Sequence, residues 1–292
     1  ERPCFEINGS ALADRLRDCY LFLTFLILKY SGAGMVWLSR SFFYGKVLDG
    51  HVMKISLIIP FYDEYENVAY VLDEVRSVVA DAGLDCEIIA VDDGSRDGTK
   101  EALERYAQRM GFLKVLSFPE NRGKDAALFA GLACAQGEVI VMMDGDGQND
   151  FHDAVEMLPE LKHVDAVFGS REERHDPPGK LIVSSIAFFF RRLVLGDDVR
   201  DTGCGLKVMK RHTLQSLPPM RGIHRFIPVV FKLAGHSYKV MPVHHRLRAH
   251  GRSKFSIMRL YFVSTIIDLI FIWWYKANYI RMNIGEAGHE RG

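Results

Sequence analysis

Four short apolar runs alternate with helix-like segments between residues 54 and 143, and this alternation is the strongest constraint on the fold. Each run is five or six residues long and mostly aliphatic, as in buried strands. The segments between the runs carry apolar residues at helical spacing, for example Val68, Val71 and Val75. Strands that alternate with helices predict a parallel sheet with helices on both faces. The four predicted strands are 55–59, 87–91, 113–118 and 138–143.

The chain is long enough for one large domain with an extension at each end. Nearly half of its 292 residues are apolar, which allows a sizeable core. The regular pattern begins at Met53 and weaker strand patterns follow it, which predicts a main domain over residues 53–256. Residues 1–52 hold one broken apolar run, for which a poor transmembrane helix, a signal-like segment and a helix packed on the domain remain open. Residues 257–292 are predicted to form a C-terminal hydrophobic helix and a tail.

An apolar stretch near the C-terminus predicts a helix at a membrane surface. Residues 260–275 number about 16, fewer than the roughly 20 that span a bilayer. Trp273 and Trp274 stand just before Lys276, which is the aromatic and basic flank typical of a membrane interface. We expect a helix that lies on the bilayer or packs against a partner, with a single transmembrane helix and a buried core helix as alternatives.

Charge and cysteine content exclude several classes of protein. The 37 Lys and Arg residues balance 37 Asp and Glu residues, so the overall charge gives no sign of nucleic-acid binding. Basic residues concentrate between Arg246 and Arg259, which suits phosphates or an anionic membrane surface. The five cysteines are widely spaced and contain no C-x-x-C pair, which indicates reduced thiols in the cytosol instead of disulfides or a zinc site.

An acidic segment follows the fourth predicted strand, at the sheet edge where parallel α/β proteins bind ligands. Asp144 and Asp146 come directly after this strand, and Gln148 adds a neutral oxygen. Mg²⁺ and Mn²⁺ prefer oxygen ligands and commonly bridge one or two carboxylates to substrate phosphates. We therefore predict a metal site at these three residues, with an ordinary polar turn as the alternative.

Polar residues also follow the other predicted strands. Glu64 follows the first strand and Asp93 the second, and either carboxylate could accept hydrogen bonds from a nucleotide base or ribose. The alternative for Glu64 is a first-turn helix acid, and helix capping is expected of Ser95 or Asp97. Residues 121–124 open a helix, where backbone N–H groups favour anions.

Five segments follow one another along the chain, namely Pro60-Phe-Tyr-Asp-Glu64, Val91-Asp-Asp-Gly-Ser95, Asn121-Arg-Gly-Lys124, Asp144-Gly-Asp-Gly-Gln148 and Gly169-Ser-Arg171. Taken in this order, they resemble the motifs of family-2 glycosyltransferases. Within the family the chain resembles the dolichol-phosphate mannose synthases and their bacterial polyprenyl-phosphate relatives over residues 55–255. The resemblance implies an α/β glycosyltransferase A-type (GT-A) fold with a mostly parallel central sheet. It also implies a nucleotide-diphosphate sugar donor and a divalent metal, Mg²⁺ or Mn²⁺. Asp63 and Gly147 depart from the family, which usually has Asn and more often Leu at these positions.

The resemblance also implies roles by position. Arg171, in a G-x-R element, would face phosphate and take part in catalysis together with Asp146. A solvated basic face is the alternative for the basic segment, and we favour that alternative for Arg252. The residues with implied nucleotide-sugar contacts are Pro60, Tyr62, Glu64, Asp93, Lys124 and Asp144. Those expected to bind the acceptor phosphate are Arg171, Arg246, Arg248 and Lys254, and those expected to bind metal are Asp144, Asp146 and Gln148.

A lipid monophosphate acceptor would remove the need for a general base. Its second pKa is about 6, so its oxygen is already anionic near neutral pH, whereas a sugar hydroxyl must be deprotonated. We therefore predict an inverting single displacement in which cations hold the two anionic reactants together. If a protein base exists, Asp201 is the first candidate.

The combined prediction is a transferase that moves a sugar from a nucleotide-diphosphate sugar to undecaprenyl or dolichyl phosphate. It would work at the cytoplasmic face of the cell membrane, held peripherally or by a single C-terminal helix. Two alternatives remain, namely transfer to a saccharide or lipid-A-type hydroxyl of the cell envelope, and a non-catalytic binding protein of the same fold.

The chain has no Q-x-x-R-W motif of processive polysaccharide synthases. It also has no G-x-G-x-x-G after the first strand, which argues against a dinucleotide-dependent dehydrogenase. The sequence leaves the donor nucleotide, the sugar and the oligomeric state open.

Overall fold

The computed structural model describes residues 53–171, 188, 191–193, 195–196, 199–248 and 270–279. The strands are β1 (Ile55–Phe61), β2 (Cys86–Asp92), β3 (Leu113–Ser117), β4 (Val139–Met142), β5 (Ala166–Arg171), β6 (Lys207–Lys210) and β7 (Tyr238–Val243). The α-helices are α1 (Tyr65–Ala82), α2 (Thr99–Ala107), α3 (Lys124–Cys134), α4 (Phe151–Met157) and α5 (Ile227–Ala234). Short 3-10 helices cover Leu158–Lys162, Arg211–Ser216 and Ile223–Arg225. The four strands predicted from the first half of the chain are confirmed to within two residues at each end.

One sheet contains all seven described strands in the order β3-β2-β1-β4-β6-β5-β7. Strand β6 runs antiparallel to both of its neighbours, and the remaining pairs are parallel. The mostly parallel sheet predicted from the sequence is therefore confirmed. Because β6 is reversed, its first residue, Lys207, pairs with Met142 at the end of β4. The loop that leads into β6 thus reaches the same sheet edge as the acidic segment after β4.

Helices cover both faces of the sheet, and the strand alternation assigns residues to each face. On one face, Leu57 and Ile59 pack in a core that α1, α2 and α4 complete. On the other face, Ile58 packs with α3 and α5. Gly131 allows the close approach of α3, because a Cβ there would lie 2.5 Å from Cγ2 of Ile58. The sheet is therefore buried on both sides, which leaves its carboxyl edge as the surface where loops can bind a ligand.

A buried carboxylate holds the opposite, amino edge of the sheet. Oε1 of Glu87 accepts hydrogen bonds from Oγ of Ser56 at 2.6 Å and from the backbone N–H of Gln136 at 2.7 Å. Its Oε2 accepts a hydrogen bond from Nζ of Lys114 at 2.7 Å. Burial opposes ionisation, but these donors lower the pKa of Glu87 to about 2. This network therefore stabilises the fold far from the candidate site.

Residues 270–278 are helical and contact the core on the face that carries α5. Ile272 is fully buried there, and Nζ of Lys276 donates to the backbone oxygen of Leu195 at 3.1 Å. Trp273 and Trp274 are instead exposed. Over the parts of the chain that the structure describes, no helix is both long and apolar enough to cross a membrane. The predictions for residues 1–52, and for most of the apolar stretch before residue 270, lie outside the described residues.

Candidate active site

The carboxyl edge of the sheet brings the predicted acidic residues together. The loop after β1 carries Glu64, the loop after β2 carries Asp93, and the loop after β4 carries Asp144 and Asp146. These three strands are neighbours in the sheet, so residues that are up to 82 positions apart along the sequence share one surface. The spatial cluster follows directly from the parallel strand order.

The β1 loop is tied to the β2 loop through Asp63. The backbone N–H of Asp63 donates to Oγ of Ser95 at 2.9 Å, and its Oδ1 accepts from the backbone N–H of Arg96 at 2.8 Å. Asp63 has a φ of 46°, a left-handed conformation that Asn and Asp adopt more readily than other non-glycine residues. This explains why Asp is tolerated where the family usually has Asn. Pro60 lies within β1 opposite Val91, and Tyr62 lies in the turn that follows.

Asp93 is buried and clamps the loop that opens α3. Its carboxylate accepts hydrogen bonds from the backbone N–H of Arg122 at 2.7 Å, the backbone N–H of Gly123 at 2.9 Å and Nδ2 of Asn121 at 2.9 Å. Burial raises the pKa of Asp93, and the two backbone donors oppose that shift. The carboxylate thus shapes the loop in front of Lys124, and its contact with a nucleoside stays a prediction.

Asp144 pairs with Lys124, the first residue of α3. Nζ of Lys124 lies 2.5 Å from Oδ1 of Asp144. Burial opposes ionisation of Asp144, but the Lys124 charge holds its pKa below the usual range, helped by the buried Lys207. Gly205 packs directly against this carboxylate, because a Cβ at that position would lie 2.4 Å from Cγ of Asp144. The Asp144 carboxylate and the loop that leads into β6 are therefore in direct contact.

Asp146 and Glu64 share one cationic partner. Nη2 of Arg248 donates to Oδ2 of Asp146 at 3.0 Å and to Oε1 of Glu64 at 3.0 Å. The second oxygen of Asp146 accepts from the backbone N–H of Gln148 at 3.2 Å. The second oxygen of Glu64 accepts from Nδ2 of Asn67 at 2.6 Å. A guanidinium therefore bridges the loops after β1 and β4 at the centre of the acidic edge.

The segment after β7 lies alongside the acidic loop. The backbone N–H of Arg246 donates to the backbone oxygen of Gln148 at 2.9 Å, and Nε2 of Gln148 lies 3.3 Å from the backbone oxygen of Arg246. Asn149 and His245 form an antiparallel bridge. Arg248 thus reaches Asp146 from a backbone that is itself hydrogen-bonded to the predicted metal loop.

The Arg246 side chain turns away from Asp146 toward helices α1 and α4. It donates to Oη of Tyr70 at 2.8 Å and forms ion pairs with Glu74 and Asp150. Burial alone would lower the pKa of Arg246, but the hydrogen bond and charge of Glu74, with Asp150, raise it. To bind an acceptor phosphate, as predicted, Arg246 would have to exchange one of these carboxylates. That role stays a prediction.

Arg171 and Asp201 form a two-point ion pair with little exposure. Nε of Arg171 lies 2.7 Å from Oδ2 of Asp201, and Nη2 lies 2.8 Å from Oδ1. The backbone N–H of Arg171 also donates to Oδ2 of Asp201 at 3.2 Å. Both oxygens of the suggested base are thus engaged by a permanent cation. A proton taken up by Asp201 would have to compete with these bonds, which makes the residue better suited to positioning Arg171.

A buried pair of Asp125 and His224 was not identified from the sequence. Nδ1 of His224 lies 2.7 Å from Oδ1 of Asp125, and the backbone N–H of Gly222 donates to Oδ2 at 2.7 Å. Burial opposes ionisation of Asp125, but the His224 hydrogen bond lowers its pKa to about 2, whereas burial lowers the pKa of His224. His224 lies in the short 3-10 helix Ile223–Arg225. No local pattern joins it to a carboxylate 99 residues earlier.

The acidic edge fits a divalent cation that also has ligands from a substrate. Asp144 and Asp146 are each paired with a cation here, and the guanidinium between Glu64 and Asp146 shows that positive charge is accommodated at this position. In the described part of the chain, no three His, Cys, Asp or Glu side chains are arranged to hold a metal ion by themselves. Donor phosphates would have to complete the coordination, as is common for Mg²⁺. The predicted phosphate ligand Lys254 lies outside the described residues.

The sequence is similar to those of known glycosyltransferases. Residues 56–217 match the profile of the family described as glycosyl transferase family 2. A dodecaprenyl-phosphate galacturonate synthase of Rhizobium johnstonii is 32% identical over 232 residues, which cover 77% of this chain and 69% of the relative. An undecaprenyl-phosphate 4-deoxy-4-formamido-L-arabinose transferase of Pseudomonas aeruginosa is 31% identical over 219 residues, which cover 74% of this chain and 64% of the relative. The chain thus matches about two thirds of the length of these relatives.

Solved structures of glycosyltransferases share the fold. The glucosyl-3-phosphoglycerate synthase of Mycobacterium tuberculosis, in complex with Mn²⁺, UDP-glucose and phosphoglyceric acid, superimposes with a TM-score of 0.53 at 20% identity, over 74% of this chain and 79% of that chain. A mannosyltransferase of Pyrobaculum calidifontis, in complex with GDP-mannose and Mn²⁺, gives a TM-score of 0.52 at 20% identity, over 78% of this chain and 64% of that chain. The predicted GT-A-like α/β fold is confirmed. The chain therefore belongs to glycosyltransferase family 2, and its relatives place it with the polyprenyl-phosphate glycosyltransferases of that family.

Proposed function

We propose that this enzyme transfers a sugar from a nucleotide-diphosphate sugar to a polyprenyl phosphate at a membrane surface. The observation that supports the proposal most strongly is the acidic edge at Asp144 and Asp146, whose carboxylates are paired with Lys124 and Arg248. Acids that can hold a metal, set among cations that can hold phosphates, suit a reaction between two anionic substrates. The polyprenyl acceptor is supported by the names of the two bacterial relatives.

On the donor side, the loops after β1, β2 and β4 form the binding surface. Glu64 and Asp93 lie where a nucleoside would contact the sheet edge, and Lys124 lies where its ammonium can move from Asp144 to a phosphate. Asp144, Asp146 and Gln148 would hold Mg²⁺ or Mn²⁺, which neutralises charge on the leaving diphosphate when bound. The complexes of the two fold neighbours with Mn²⁺ and a nucleotide sugar support this choice of metal and donor.

On the acceptor side, the chemistry needs cations more than it needs a base. A lipid phosphate is already an anion near neutral pH, so its oxygen can form the bond to the anomeric carbon while the diphosphate leaves from the opposite face. Such a displacement inverts the anomeric configuration. The engagement of both Asp201 oxygens by Arg171 supports a reaction without this carboxylate as base. Arg248 and Arg171 would then orient and neutralise the two phosphates.

The described C-terminal helix supports a membrane-associated site of reaction. Within residues 270–278, Ile272 and Lys276 contact the body of the enzyme, whereas other apolar side chains face outward. Tryptophans are favoured at the boundary between lipid and water. The exposed apolar residues of the helix are Ile270, Phe271, Trp273 and Trp274. We place the catalytic domain at residues 53–256 and the enzyme at the cytoplasmic face of the cell membrane as part of the same proposal.

The proposal is tested by measuring release of nucleotide diphosphate from UDP- and GDP-sugars with Mn²⁺. Release should require undecaprenyl phosphate. Asp146→Asn should lower kcat/KM by about 100-fold or more, because it removes a charged ligand of the metal that would stabilise the leaving diphosphate. Asp165→Asn is the control, since Asp165 lies outside this edge and pairs with Lys210. Transfer to a saccharide hydroxyl, with none to lipid phosphate, would favour the alternative function. Failure to bind any nucleotide sugar would favour a non-catalytic protein.

A further inference from the structure

Three basic side chains occupy every second position of the segment that follows β7. We refer to residues 244–248 as the basic strap. In an extended segment, side chains two positions apart point to the same side. Each of the three basic side chains contacts at least one carboxylate elsewhere in the enzyme. The contacts are His244 with Asp153 at 2.7 Å, Arg246 with Glu74 and Asp150, and Arg248 with Glu64 and Asp146 at 3.0 Å each.

The three contacts of the basic strap differ in what their carboxylates can otherwise do. Asp153 lies within α4, and Glu74 lies within α1, so the pairs at His244 and Arg246 anchor the strap to helices. The partners of Arg248 are instead the carboxylates proposed to hold a metal and a nucleoside. The strap therefore has a fixed part and an end that lies in the donor site.

Arg248 occupies the cation position of the donor site. Its Nη2 bridges Asp146 and Glu64, and the side chains of these three residues are 21%, 19% and 10% exposed. A pair with so little exposure is screened less than a surface pair and is harder to displace. Oδ2 of Asp146 cannot serve this guanidinium and a metal ion with full strength at the same time. Binding of the metal and release of Arg248 are therefore coupled.

We propose that Arg248 holds the donor site until the metal and donor arrive, and that its release then supplies a guanidinium for the acceptor phosphate. A displaced guanidinium in a poorly solvated site needs a new anion, and a lipid phosphate accepts its paired N–H donors well. The consequence is an ordered reaction in which the donor loads first and the acceptor second. The acceptor half of this inference rests on the proposed function, whereas the metal half does not.

The metal half is tested by titrating the full chain with Mn²⁺ in the absence of donor and acceptor, using electron paramagnetic resonance of free Mn²⁺. Arg248→Gln should bind Mn²⁺ about tenfold more tightly than the unaltered enzyme, a ratio typical of coupled sites. Arg76→Gln is the matched control, because it removes one positive charge from a surface position where Arg76 pairs with Asp73 three residues earlier on the same helix. Its Mn²⁺ affinity should change by less than about twofold. Equal or weaker Mn²⁺ binding by Arg248→Gln would overturn the proposal.

The acceptor half is tested by steady-state kinetics with farnesyl phosphate at saturating donor. Arg248→Gln should raise the KM for the lipid phosphate about tenfold or more, while the KM for the donor is unchanged or lower. An unchanged acceptor KM would refute the second role of Arg248. Absence of transfer to lipid phosphate by the unaltered enzyme would refute the proposed function instead, and the Mn²⁺ titration would still decide the first role. Arg248→Lys, which keeps the charge without the planar fork, should give intermediate values and serves if the glutamine variant does not fold.

Discussion

Replacing Gly205 with alanine tests whether the loop into β6 sets the position of the donor-side carboxylate. The added Cβ would lie 2.4 Å from Cγ of Asp144 and 2.5 Å from its Oδ2, about 1 Å closer than ordinary contact allows. Asp144 is also held at 2.5 Å by Lys124, so relief of the clash must move the carboxylate, the loop or both. A misplacement of about 1 Å can cost about 100-fold in rate, equivalent to about 2.7 kcal/mol.

The assay for Gly205→Ala is kcat/KM for the donor at saturating lipid phosphate, with the thermal midpoint measured in parallel. Overpacking should also destabilise the enzyme by about 1–3 kcal/mol. Gly111→Ala is the control, because no atom of the described residues lies within 4 Å of a Cβ built there. A Gly205→Ala enzyme with unchanged kcat/KM and unchanged Mn²⁺ affinity would refute the reasoning, since the carboxylate would then tolerate displacement or not contribute.

Two further predictions concern the buried carboxylates Glu87 and Asp201. Glu87→Gln should lower the free energy of unfolding by about 2–3 kcal/mol at pH 7, because the folded state holds the pKa of Glu87 near 2 instead of its ordinary 4.5. A carboxyl group with a depressed pKa stabilises the folded state at pH values above its unfolded pKa, and this contribution is lost as the pH falls. The difference in unfolding free energy between the unaltered protein and Glu87→Gln, measured by urea unfolding, should therefore shrink between about pH 5 and pH 2. A difference that stays constant over this range would contradict the prediction. For Arg171 and Asp201, a double-mutant cycle with Arg171→Ala and Asp201→Ala should give a coupling of about 2 kcal/mol or more in stability, because either single variant leaves a poorly solvated charge. Independent effects would argue against the pair as a structural clamp.

The strand pattern and the acidic clusters could be predicted from the sequence because both are local. Apolar runs and helical spacing identify β1 to β4, and parallel strands necessarily bring the following loops to one edge. Glu64, Asp93, Asp144 and Asp146 therefore lie where the sequence placed them. The reversed direction of β6 could not be predicted, since no residue in so short a strand encodes its orientation.

The partners of the predicted residues depend on long-range packing and were not predicted. Arg248 pairs with Glu64 from 184 positions away, and Gly205 meets Asp144 only because β6 is reversed. The sequence offered phosphate binding or solvation for Arg246 and Arg248. The structure shows a third state in which both are paired with carboxylates of the enzyme itself. Such pairing is invisible in sequence because the partners lie far apart along the chain, for example 172 positions for Arg246 and Glu74 and 102 positions for Arg248 and Asp146.

The most direct test of the proposed reaction is mass spectrometry of the lipid fraction after incubation of the enzyme with donor, Mn²⁺ and undecaprenyl phosphate. We predict a new lipid whose mass exceeds that of undecaprenyl phosphate by one sugar residue, joined through a phosphodiester whose anomeric configuration is opposite to that of the donor. The Asp146→Asn enzyme should not form it. Consumption of the donor with the lipid phosphate left unchanged, or appearance of the sugar on a saccharide hydroxyl, would contradict transfer to a lipid phosphate.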